Sequence, residues 1–181
     1  MMLLNRGLVI FFVALLLWAV EATQPALAAQ VVAIGASNTI GAGRGNQHGG
    51  VVPSEVWPAQ LEQLLHAHGA NVQVKNAGIA GDTTCNMLSR LDGEIGPDTK
   101  VVIIQPGGND SWKGDCRFDR AQNVAEMQRR LRSRGIKPIL LLQMVSIAGN
   151  RNLEVDGQHF SKAGHAAMAA WLLPKVVAAL R

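Results

Sequence analysis

The sequence predicts an α/β protein built on one parallel sheet of about four strands, with helices on both faces. Three observations carry that prediction. Short apolar, β-branched runs recur along the chain, amphipathic stretches separate them, and glycine stands at or just after the strand ends. Strands that alternate with helices favour parallel pairing with both faces covered. Right-handed crossovers then place the strand ends on a common edge, where such sheets bind ligands.

The elements follow in order. "VVAIG" (31–35) reads as a buried first strand. In "PSEVWPAQLEQLLHAHG", Trp57, Leu61, Leu64 and Leu65 recur at helical spacing and Gly69 is a stop signal. "NVQVKNAG" (71–78) alternates as a strand and ends at Gly78. "TTCNMLSRLDGEIG" reads as a short helix capped by Thr83 or Thr84. "KVVIIQPGGND" (100–110) is a buried strand running into a glycine pair. "RFDRAQNVAEMQRRLRSRG" is an amphipathic helix closed by Gly135, and "IKPILLLQ" is the fourth strand. After "VDGQHFS" comes a terminal helix, with Pro174 expected to kink or break it. About a dozen residues separate the fourth strand from Asp156, too few for a further helix–strand unit.

The chain has 181 residues, 48% of them hydrophobic, enough for one domain with a real core. Residues 1–28 read as a cleaved signal peptide. Arg6 precedes an unbroken apolar run of 14 residues from Gly7 to Val20, and "ALA" ends at Ala28. That run is short for a membrane span and normal for a secretory core. Residues 29–181 then form a single domain, periplasmic or secreted. Export permits a disulfide between Cys85 and Cys116, with two free thiols as the alternative. The formal charge of +4 is scattered, and Arg129, Arg130, Arg132, Arg134 and Lys137 cluster without interleaved aromatics. This is a solvated helix face rather than a nucleic-acid site, and it favours anionic envelope surfaces only weakly.

The glycine-rich start invites a phosphate-binding reading, which fails on residue type. "GASNTIGAG" lacks the lysine and spacing of a P-loop, and "GAGRGN" has Asn46 where a dinucleotide turn needs glycine. A serine nucleophile at Ser37 competes with a plain turn. Such a serine needs a base that titrates near neutrality. Among the histidines, His48, His66, His68 and His165 lack a suitable setting, His165 reading as an ordinary helix-surface residue. His159 lies in "DGQHF", where one turn can bring Asp156 to the imidazole and fix its tautomer. Oxyanion donors are offered by the Ser37 N–H, the Gly78 N–H and the Asn109 carboxamide. Each of these has a bland reading as a turn or strand-end residue. Their joint occurrence at successive strand ends is what favours a catalytic one.

With these blocks in place, "GASN", "NAGIAGDT", "GGND" and "DGQHFS", the chain resembles the SGNH hydrolases, a branch of the GDSL-type esterases. It looks most like the small bacterial periplasmic thioesterase/lysophospholipase type. The resemblance implies a three-layer flavodoxin-like fold and hydrolysis of acyl esters or thioesters without metal or cofactor. It assigns Ser37, Asp156 and His159 as a triad, and Ser37, Gly78 and Asn109 as the oxyanion hole. The partner is then a small-molecule acyl ester or thioester. Two departures stand out. Ala36 replaces the family's usual aspartate, which bears on loop rigidity and rate, and the fifth strand is missing or vestigial. Trp112 is a candidate wall for substrate, and Met87 and Leu88 line either a groove or the core. The alternatives are a carbohydrate O-deacetylase and a catalytically weak binder of acylated glycans or lipids.

Overall fold

The computed structural model describes residues 28–43, 51–111, 113, 116 and 119–181. Of the residues 1–28 read as a signal peptide, all but Ala28 lie outside them, as does the candidate Trp112. Four strands form one parallel sheet in the order β2-β1-β3-β4. They are β1 (Ala29–Gly35), β2 (Val72–Gly78), β3 (Thr99–Gln105) and β4 (Lys137–Leu140). In register, Gly35 of β1 stands beside Gly78 and Gln105, so these strands end level on one edge.

Strand alternation divides the core in two. Val31 and Ala33 of β1, with Val101 and Ile103 of β3, face α2 (Trp57–Ala67) and α6 (Lys162–Leu180). Val32 and Ile34, with Val102 and Ile104, face α3 (Thr84–Glu94) and α4 (Arg120–Ser133). Both faces of the two central strands are therefore apolar, as a parallel sheet between helical layers requires. Each large side chain removed from water in these layers stabilises by about 1.5–3 kcal/mol. Thr83 caps α3 by accepting the Asn86 N–H, and Asp119 caps α4 by accepting the Gln122 N–H. The remaining helices are the single turn α1 (Ser37–Ile40) and the short α5 (Met144–Ala148). α5 fills the connection from β4 toward the last helix, which the sequence reading left without structure. Cys85 and Cys116 are joined in a disulfide across 31 residues, with their Cα atoms 5.6 Å apart. By loop-closure entropy, such a link stabilises by about 3–4 kcal/mol.

Two expectations are corrected. Pro174 neither ends nor splits the terminal helix, which runs on to Leu180. The proline is exposed on the helix surface. At the next residue, the Lys175 ammonium donates to the Trp171 carbonyl at 3.3 Å and lies 3.6 Å from the Trp171 ring centroid. His165 is not a surface histidine. It is 1% exposed, its Nδ1 accepts the Trp57 N–H at the start of α2, and its ring meets Phe160 edge-on at 5.6 Å.

Two predictions follow from this packing. Burial holds the His165 pKa down to about 4, against an ordinary 6.5. Between those values the unfolded chain binds a proton that the folded chain refuses. Stability from this group is therefore complete above pH 6.5 and is lost as pH falls toward 4, by about 3 kcal/mol. Denaturant titrations from pH 7.5 to 4.5 should show this decline, flattened in His165→Asn, which keeps an acceptor for Trp57. At Gly78, an added Cβ meets the Ile40 nitrogen at 2.4 Å and Thr39 backbone carbon at 2.8 Å. Gly78→Ala should lower unfolding stability by about 1–3 kcal/mol, because α1 must lift from the sheet.

Candidate active site

The turn that carries Ser37 begins where β1 stops. Gly35 has no room for a side chain, since an added Cβ meets Thr39 Oγ1 at 2.1 Å and Gln105 Oε1 at 2.8 Å. The chain turns at Ala36 into α1, with Ser37 as its first residue and Gly41 closing it at φ 87°. From the end of β3, the buried Gln105 carboxamide oxygen accepts the Ala36 N–H at 3.1 Å and the Thr39 hydroxyl at 2.8 Å. The turn is thus pinned from beneath by β3, although residue 36 itself carries only a methyl group. The Ser37 N–H has no hydrogen-bond partner among the described residues, as expected for the first turn of a helix.

The loop before α6 supplies the other half. Ser37 Oγ lies 3.0 Å from His159 Nε2, across 122 residues of chain. His159 Nδ1 lies 2.5 Å from Asp156 Oδ2, so the proton on that nitrogen faces a carboxylate. Asp156 Oδ1 accepts the backbone N–H groups of His159 and Gln158, each at 2.9 Å. The His159 N–H first, then its imidazole and the Gln158 N–H, hold the Asp156 carboxyl well below the usual carboxylate range. These contacts favour the ionised carboxylate beside the ring.

Asn109 follows the glycine pair after β3. Its Nδ2 donates to the Asp82 carbonyl at 2.8 Å, and a carboxamide has a second N–H to offer. Asp82 itself is buried and paired with Arg90 at 2.8 Å. The Arg90 guanidinium also donates to the Ala77 carbonyl at 2.8 Å, which ties the β2–α3 loop to the end of β2. Ser37, Asn109 and His159 share one cleft of about 480 Å³, with Gly107, Gly108 and Met144 among its other lining residues.

The structure thus brings Ser37, His159, Asp156 and Asn109 together and places Gly78 differently. The Gly78 N–H donates to Asn76 Oδ1 at 3.0 Å, and the residue is buried in the sheet beneath α1 rather than lining the cleft. Gly81, three residues on, stands at φ 76° directly before Asp82, and its N–H has no partner among the described residues. Sequence reasoning also passed over Gln105 and Asn38. A lone glutamine ending the apolar run "VVIIQ" was the available signal, since a buried carboxamide requires partners. Asn38 had only its place beside Ser37.

Comparison with known proteins bears on the family and the fold. The model of the GDSL-like Lipase/Acylhydrolase family matches residues 33–173. The chain is 35% identical over 107 residues to Esterase TesA of Pseudomonas aeruginosa, covering 58% of this chain and 53% of that protein. It is 33% identical over 86 residues to an Arylesterase of Vibrio mimicus, covering 47% of this chain and 43% of that protein. The chain thus spans about half the length of these curated relatives. The crystal structure of TesA superposes with a TM-score of 0.66 at 24% identity, over 84% of this chain and 98% of that one, and shares its fold. With the family match running from β1 into the last helix, the chain belongs to the GDSL-like lipase/acylhydrolase family.

Proposed function

We propose that this protein is a serine hydrolase of acyl esters, with Ser37 as nucleophile, His159 as general base and Asp156 as the group that orients it. The observation that carries the reading is the continuous line Asp156–His159–Ser37, at 2.5 and 3.0 Å. Ser37 Oγ adds to the acyl carbonyl as its proton passes to His159 Nε2. The Ser37 N–H and the free N–H of the Asn109 carboxamide, both from residues that line the cleft, receive the oxyanion. Collapse of the adduct returns the proton to the leaving alcohol or thiol. Water, deprotonated by the same imidazole, then releases the acid and restores Ser37. These steps draw only on protein groups.

For the substrate, the reading extends to short- and medium-chain oxygen esters, acyl thioesters and lysophospholipids. A cleft of about 480 Å³ lies in the size range of small-ligand sites. The family match and the relatives named Esterase TesA and Arylesterase support the ester class. The proposed compartment is the periplasm or the exterior. The reading of residues 1–28 as a signal peptide supports this, and so does the Cys85–Cys116 disulfide, a bond that persists in oxidising surroundings.

Hydrolysis of p-nitrophenyl butyrate tests the assignment. Ser37→Ala and His159→Ala should each lower kcat by several orders of magnitude. Asp156→Asn, which keeps the shape but removes the charge, should cost roughly 10³–10⁴-fold. Wild-type turnover in any of the three would refute the corresponding role. A panel of acyl lengths, thioesters and acetylated sugars then separates the ester reading from sugar deacetylation.

A further inference from the structure

The hydrogen bond between Ser37 and His159 joins two loops, and the residue next to the serine holds those loops in register. Asn38 is 8% exposed. Its Oδ1 accepts the Phe160 N–H at 2.9 Å, and its Nδ2 donates to the Gln158 carbonyl at 3.1 Å. The two backbone groups it engages lie on either side of His159. We propose that Asn38 is a positioning residue, whose carboxamide clamps residues 158 and 160 and so sets the His159 imidazole against Ser37 Oγ. The proposal rests on the reading of His159 as general base.

The loop needs such a clamp. Between Leu153 and Phe160, which form an isolated antiparallel bridge, the chain makes turns and no regular element. Asp156 fixes the ring of His159 within that loop, but both residues belong to the same turn, so their contact does not relate the loop to α1. The Asn38 amide does. A single bond across the gap would leave a pivot, whereas two bonds from one planar group fix both separation and rotation. Both ends of the clamp are themselves anchored. Gln105 holds the backbone of α1 from below, and Phe160 is buried with its ring against His165. The nucleophile and the base are therefore connected through β3, α1, Asn38 and the 158–160 backbone. The clamp works at the turn where Ala36 gives no polar side chain.

Loss of the clamp affects the transition state more than binding. Asn38 borders the cleft, but its Oδ1 and one N–H are spent on the loop, so the larger part of its effect falls on the placement of His159. A displacement of about 1 Å between reacting groups costs on the order of 100-fold in rate.

Full-length Asn38→Leu, close to asparagine in size, and Asn38→Ala, which adds no bulk, test this in wild-type and His159→Ala backgrounds. Thermal unfolding of each variant identifies those that remain folded. The expected result is a kcat lowered about 100-fold, a KM within roughly threefold of wild type, and no further loss in the His159→Ala background. A kcat within about twofold of wild type, or an equal loss with and without His159, overturns the proposal. Proton NMR supplies a readout independent of turnover. The deshielded His159 imidazole proton facing Asp156 should broaden or shift in Asn38→Ala, and an unchanged signal likewise contradicts the clamp. Full activity in His159→Ala alone would overturn the general-base reading instead, so the two failures are distinguishable.

Discussion

A 3.0 Å contact between one hydroxyl and one imidazole, 122 residues apart, is the constraint around which this molecule is arranged. Neither group reacts usefully alone. Serine is a weak nucleophile at neutral pH, and histidine accepts its proton only from within hydrogen-bond reach. The fold meets this requirement with few parts. β1 delivers Ser37 to the edge of the sheet, and the loop before α6 brings His159 back over it. The intervening helices bury enough apolar surface to hold the two in place.

The small size of the sheet makes the polar contacts at its edge more important. With four strands and a short β4, the catalytic edge is fixed less by neighbouring strands than by a few buried side chains. Gln105 holds the nucleophile turn, Arg90 and Asp82 hold the loop that docks Asn109, and Asn38 bridges to the histidine loop. Gln105, Asp82 and Asn38 are buried and Arg90 is half-buried, each with its partners supplied, the condition under which such groups specify a geometry rather than destabilise it. Glycine supports this by absence of bulk. Gly35 and Gly78 let α1 sit directly on the strand ends.

Much of this was legible in the sequence, because it rests on periodicity and on residue chemistry. The runs within 31–35 and 100–110 declared buried strands, the alternation over 71–78 declared another strand, and "DGQHF" put a carboxylate within one turn of a histidine. Much of what was not legible depends on contacts distant in the chain. His165 looks like any helix histidine until Trp57 and Phe160 close over it. Pro174 removes one N–H from the helical ladder, yet α6 runs on past it to Leu180. Gly78 had the right position for an oxyanion donor, but the Asn76 side chain takes its N–H. Asn38 and Gln105 act through partners 120 and 69 residues away, which no local pattern encodes.

The central claim is that the fold activates one particular hydroxyl. Its most direct test is peptide mapping by mass spectrometry after brief exposure to a fluorophosphonate. The account predicts a single phosphonylated serine, Ser37, with its labelling strongly slowed in His159→Ala. Modification spread over several serines at similar rates, or labelling of Ser37 that does not depend on His159, would contradict it.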